Sequence, residues 1–231
     1  MPQSLHTLTD SESIVEMGAA GGDFSVAEGL RRLVVLGDGQ AIYKAGLHWN
    51  GFDVADGLTA VIGLRDAESL YKCGWMWKGF DYARGMDALF SWAGARYIYL
   101  AGLNWSTFDA ARGLEALTRA GDPEQICYAG FHWKRFDYEQ GMTSLLEIAS
   151  PEHLYKAGAR WPVFDYAAAW DVMETQVAEG EKWREEAFDQ PFWRQALRCI
   201  WLRKRSPDDP VKIPMPKGAT KEKRQGGSWS L

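Results

Sequence analysis

The chain has 231 residues, 46% of them hydrophobic and 12 of them tryptophan, with a formal net charge of −5. No apolar run approaches the roughly 18–20 residues needed to span a bilayer. Its three cysteines (Cys73, Cys127, Cys199) lack CxxC or CxxH spacing, which argues against structural zinc and for a reducing, cytoplasmic setting. Residues 1–177 carry 14 Lys/Arg against 23 Asp/Glu and residues 178–231 carry 12 against 8, so an acidic body precedes a basic tail. Such a body lacks the clustered cations of a general phosphate-backbone binder.

Residues 1–9 form a short N-terminal segment. Its opening, Met-Pro-Gln-Ser-Leu-His, has no charged stretch followed by an apolar one, so no secretory signal is expected. From Asp10 to residue 177 a period of 28 residues takes over. Gly18, Gly46, Gly74, Gly102, Gly130 and Gly158 keep it, as do Trp49, Trp77, Trp105, Trp133 and Trp161. Phe24, Phe52, Phe80, Phe108, Phe136 and Phe164 keep it too, the last five each followed by Asp. A period between 20 and 50 residues marks a solenoid of tandem units, each resting on its neighbours.

Each unit reads as two helices. In residues 66–93, Asp66 is an N-cap, and the same slot holds Asp10, Asp38, Gly94, Asp122 and Ser150. Pro123 and Pro151 follow it at the first helical position. A first helix of about two turns is expected to end near the repeated glycine, in a left-handed conformation. A loop of about five residues carries the Trp, and a second helix of about 12–13 residues follows from Phe80-Asp81. Phe80, Ala83, Met86, Leu89 and Phe90 mark its buried face. Gly57, Gly85, Gly113 and Gly141 inside this helix each cost about 1 kcal/mol against Ala, which points to close helix–helix approach. Asn50-x-x-Asp53 and Ser106-x-x-Asp109 read as capping boxes with Asp in the reciprocal role.

The end copies are atypical, as terminal repeats are. The first has Gly21 in the Trp slot and Ser25 in the Asp slot; the last has Pro162 after its Trp, Ala169 for Gly and Trp170 for Leu or Met. The stretch Ile14-Val-Glu-Met-Gly-Ala-Ala-Gly-Gly resembles the helix–Gly-Gly-loop–helix of TAL-effector DNA-binding repeats. That likeness covers one unit, the Trp-x-x-Phe-Asp of the other five departs from it, and no function is carried over. Residues 178–205 are expected to form a C-terminal capping region, with a basic amphipathic helix from about Asp189 to Arg205 that seals the last repeat or meets a membrane or partner. Residues 206–231, with Pro207, Pro210, Pro214 and Pro216, read as a disordered basic tail.

The sequence thus implies an all-α solenoid of six tandem 28-residue two-helix repeats, a capping helix and a tail. Invariant slots serve the interface that recurs at every step, so the Trp and Phe-Asp columns are read as core and caps. The slots that vary carry any specificity. Just before the Trp these are Ala20, His48, Met76, Asn104, His132 and Arg160. Two after it they are Asp23, Gly51, Gly79, Thr107, Arg135 and Val163. The candidate binding residues are His48, Met76, Asn104, His132, Arg160, Thr107 and Arg135. His48 and His132 are three units apart, too far to share a metal at about 8–10 Å per stacked helix. No Ser/His/Asp or Cys/His pairing, phosphate loop or HExxH motif occurs, so no catalytic residue, metal or cofactor is assigned. The expected function is a non-enzymatic scaffold for a protein or peptide, with the acidic body suggesting a basic partner. The alternative is a nucleic-acid binder whose basic C-terminal region supplies phosphate contacts.

Overall fold

The computed structural model describes residues 10–176; the segment 1–9, the expected capping region 178–205 and the tail 206–231 lie outside the described residues. Among the described residues there are twelve helices and no strand, one helix pair per 28-residue period, as a helical-repeat solenoid requires. The first helices have ten residues each: α1 (Ser11–Ala20), α3 (Gly39–His48), α5 (Ala67–Met76), α7 (Ala95–Asn104), α9 (Pro123–His132) and α11 (Pro151–Arg160). The second helices have eleven: α2 (Val26–Leu36), α4 (Val54–Leu64), α6 (Tyr82–Trp92), α8 (Ala110–Ala120), α10 (Tyr138–Ile148) and α12 (Tyr166–Gln176). The chain divides into two compact units, Met1–Ala120 and Gly121–Leu231. In the first, α1, α3, α5 and α7 pack closely side by side while the second helices stand further apart; in the second, α9 and α11 do the same.

Aspartates start most of these helices. Asp10, Asp38, Asp66 and Asp122 accept the backbone N–H three residues on at 2.7–3.0 Å, satisfying donors that have no partner inside the helix. Gly94 has no side chain to do so, and the Ser150 hydroxyl instead meets His153 Nδ1 at 2.8 Å. The Phe-Asp aspartates are N-caps in their own right. Asp53 Oδ1 accepts from the Ala55 and Asp56 N–H groups at 2.8 and 3.0 Å, and Asp165 does the same for Ala167 and Ala168 at 3.0 Å. This overturns the expected capping boxes: Asp81 has an extended backbone (φ −80°, ψ 94°), so the helix begins one residue after it. Phe80 therefore precedes α6, Ala83 is exposed, and Gly85, Met86, Ala88, Leu89 and Phe90 make the buried face.

The repeated glycine does not end the first helix either. Gly46 lies within α3 and Gly74 within α5, and each helix continues to the residue before the Trp. The chain leaves at the Trp itself, extended at φ −77°, ψ 131° for Trp77, whose N–H still closes the helix on the Cys73 carbonyl. Left-handed ends occur instead after second helices, at Gly37, Arg65 and Ala149.

The glycine is a socket for the next repeat's indole. A Cβ on Gly74 would stand 2.5 Å from Trp105 Nε1, and one on Gly46 would stand 2.5 Å from Trp77 Nε1. Each indole then donates to the carbonyl 34 residues earlier: Trp49 to Val15, Trp77 to Tyr43 and Trp105 to Tyr71, all at 3.0 Å. In the second unit Trp161 sits on Gly130 and donates to Cys127 at 3.3 Å. Burying an indole removes about 150–250 Å² from water, a gross gain of about 4–6 kcal/mol before entropy. The Phe column completes the joint, since Phe52 meets both Trp49 and Trp77 edge-on, with centroids 6.1 and 5.3 Å apart. Gly57, Gly85 and Gly141 inside the second helices make room for these Phe rings: a Cβ on Gly57 would stand 2.5 Å from Phe52 Cε1.

Gly74→Ala is expected to destabilise the protein by about 2 kcal/mol in urea unfolding, because overpacking outweighs the better helix propensity. In the double variant with Trp105→Leu the alanine should cost at least about 1 kcal/mol less than in the wild-type background.

Candidate binding surface

The joint decides which side chains are left outside. From the second copy on, the slots four and seven residues after the N-cap of each first helix, and the Trp slot, face inward: Leu70, Cys73 and Trp77 in the third copy, Ile42, Ala45 and Trp49 in the second. At about 100° per residue, the slot two before the Trp then points away from the core. It holds Leu47, Trp75 and Leu103 in the first unit, and these are 38%, 54% and 40% exposed. Met76, beside Trp75, is 48% exposed.

Trp75 is exposed yet held. Its ring stacks on Tyr71 one turn back, at 6.1 Å between centroids and 24° between planes. Tyr71 is itself buried, packs against Tyr97 at 6.3 Å, and receives a 2.8 Å hydrogen bond from Asn104 Nδ2. Asn104 also donates to the Leu100 carbonyl at 3.1 Å.

The sequence-derived candidates fall in both units. The slot before the Trp is the last residue of each first helix and not part of the loop. His48 and Met76 are exposed there, while Asn104 is half-buried and braces Tyr71 of the preceding repeat. Thr107 is exposed in the next loop. Gly51 and Gly79, in the same slot as Thr107, are left-handed (φ 76° and 78°), so this column differs between copies in backbone conformation as well as in side chain. In the second unit His132, Arg135 and Arg160 are exposed. The Arg160 guanidinium lies over the Phe131 ring at 5.0 Å, and His132 is edge-on to Phe131 at 6.0 Å. Burial, with Arg160 adding, holds the His132 imidazole below its ordinary 6.5. Trp75, Leu47 and Leu103 were missed because they lie outside the repeating Trp and Phe slots. The signal available was a slot that stays apolar in four copies (Leu47, Trp75, Leu103, Phe131) although it projects away from the buried stripe.

On the second-helix side of the first unit a shallow depression is lined by Asp87, Phe90, Ser91, Arg112 and Arg119. It is occupied by its own contacts: Arg112 pairs with Asp87 at 2.7 Å and lies over Phe90, and Arg119 donates to the Phe90 carbonyl at 3.2 Å. Among the described residues no three His, Cys, Asp or Glu side chains come together as a metal ion would need, and no helix is long and apolar enough to cross a membrane.

These features define a helical-repeat protein, with apolar side chains exposed on the first helices of its first unit. Comparison with known proteins returns no match: no family model, no curated protein and no solved structure.

Two groups give solution tests. His153 sits in the first turn of α11; burial first, then the Lys156 charge, hold its ring below 6.5. A folded-state pKa below the unfolded value gives stability that is complete above pH 6.5 and lost as the pH falls through the folded value. Urea midpoints should therefore drop between about pH 7 and pH 5, and His153→Gln should make that drop shallower. Burial raises the Cys73 thiol and pushes Cys127 up to about 12. In a Cys199→Ser background at pH 8, a thiol reagent should react at least about 100-fold more slowly with native than with unfolded protein.

Proposed function

We propose that the protein is a binding scaffold, with no chemistry of its own, that holds a protein or peptide along its first-helix surface. The observation that carries this reading is Trp75, a large aromatic side chain left more than half exposed and fixed in place by Tyr71. Tryptophan is enriched at binding hot spots, and an ordered ring loses little entropy when a partner covers it. Leu47, Met76 and Leu103 extend the patch across α3, α5 and α7, and contiguous exposed apolar surface marks interaction sites. His48, Asn104 and Thr107 border it, as His132, Arg135 and Arg160 border Phe131 in the second unit. The free thiols Cys73 and Cys127 support a cytoplasmic setting. The alternative of nucleic-acid binding rests on the C-terminal region, outside the described residues.

A photocrosslinking amino acid in place of Met76, beside the intact Trp75, should yield polypeptide adducts in cell extract, lost when Trp75→Ala is added. The same group in place of Arg84, on α6, should yield none. Equal labelling from both positions, or adducts removed by nuclease, would overturn the reading.

A further inference from the structure

The body of the chain is acidic, but its charges are sorted by helix. In the first unit most carboxylates sit on N-caps (Asp38, Asp66, Asp53, Asp81, Asp109) or on second helices (Asp56, Asp87, Glu115). Apart from those N-cap aspartates, which are engaged with helix N–H groups, the first helices and following loops of copies two to four carry Lys44, Lys72, Lys78 and Arg96 and one carboxylate, Glu68. Glu68 is already engaged, with Lys72 at 2.7 Å and the Tyr97 hydroxyl at 3.3 Å. Lys44, Lys78 and Arg96 are exposed and make no ion pair among the described residues.

These cations frame the apolar patch. Lys44 lies one turn before Leu47 and His48, and Lys72 one turn before Trp75 and Met76, on the same helix faces. Lys78 follows Met76 by two residues, and Arg96 lies two turns before Leu103 on α7. In the first copy the slots of Arg96 and Lys44 hold Glu12 and Glu16, the slot of Lys78 holds Gly22 with Asp23 next to it, and Ala19 stands in place of the apolar anchor. The surface therefore has an apolar, basic stretch over α3, α5 and α7 and an acidic, non-anchoring end at α1.

We propose that the stretch over α3, α5 and α7 docks an acidic amphipathic polypeptide segment: one aromatic or aliphatic side chain against Trp75, flanked by carboxylates that meet Lys44, Lys78 and Arg96. This rests on the scaffold reading and names the partner's chemistry. It reverses the basic partner that net charge alone suggested, because binding is governed by the charges bordering the anchor within a Debye length of about 8–10 Å and not by the total. Glu12, Glu16 and Asp23 repel the same segment from the first copy, so its carboxylates lie over copies two to four only.

The test is fluorescence anisotropy on the full chain with two short labelled peptides. One combines Glu and Asp with Leu and a central Phe; the other has Lys at every acidic position. The acidic peptide should bind at least about tenfold more tightly at moderate salt. Trp75→Ala should abolish that binding and, with the stack on Tyr71 lost, lower the melting temperature by about 2–6 °C at most, and Lys44→Glu with Lys78→Glu should weaken binding about tenfold with the melting temperature unchanged. Binding of the basic peptide equal to or above the acidic one overturns the proposal, and if Trp75→Ala removes that binding the scaffold reading survives alone. Acidic-peptide binding that ignores Trp75→Ala overturns it too. So does equal competition by oligothymidylate or phosphatidylserine vesicles, which would mark a surface that reads negative charge alone. Failure of the scaffold reading itself is seen separately, as no polypeptide crosslinked from position 76 with Trp75 in place.

Discussion

In copies two to four, and again in the sixth, the first helix ends by sending an indole into the first helix of the copy before. The contact needs three things at once: a residue without a side chain to receive the ring, a carbonyl to accept its N–H, and a chain that leaves the helix extended at the Trp. Gly74, the Tyr71 carbonyl and Trp105 supply them at one joint, and Gly46, Tyr43 and Trp77 at the joint before it. A helix of ten residues is marginal alone in water, so a repeat acquires its stability only when this joint closes. The joint also sets the rotation of the first helix. With one stripe committed to the Trp and its glycine, the slot of Leu47, Trp75 and Leu103 has nowhere to go but solvent. The candidate surface is thus a geometric by-product of the joint, repeated at every step and decorated differently at each.

Charge follows the same division. Most aspartates of the periodic slots are spoken for by helix N-termini, where they complete backbone hydrogen bonding and offset the helix dipole. Their contribution to net charge says little about what approaches the first helices. The side chains free to meet a partner there are those of the irregular slots, and in copies two to four of the first unit they are mostly cationic.

Much of the fold was legible in the sequence because the period repeats without insertion, so helix pairs, N-cap aspartates and buried tryptophans could be read by alignment of the chain with itself. What was not legible was who touches whom. The repeated glycine fits a helix C-cap in local terms, and only the indole arriving 31 residues later, Trp105 on Gly74, reveals it as a socket. Likewise Phe-Asp looks like the first turn of a helix until the extended backbone of Asp81 moves the start to Tyr82. At the surface, Asn104 of the variable slot also braces Tyr71, a contact no periodicity announces, and a Trp outside the Trp column, Trp75, carries no periodic signal. Periodicity exposes what is common to all copies; a binding surface is written in what is not.

The spacing between donor and acceptor also gives the array a direction in time. The carbonyls of Val15, Tyr43 and Tyr71 each precede by 34 residues the indole that bonds to them. A chain growing from its N-terminus therefore always completes a receptor before it makes the ring that fits it. The first copy, with Gly21 in the Trp slot, offers a receptor at Gly18 and inserts no ring of its own. Copies two to four each find the glycine and the carbonyl they dock on already made when their own tryptophan emerges.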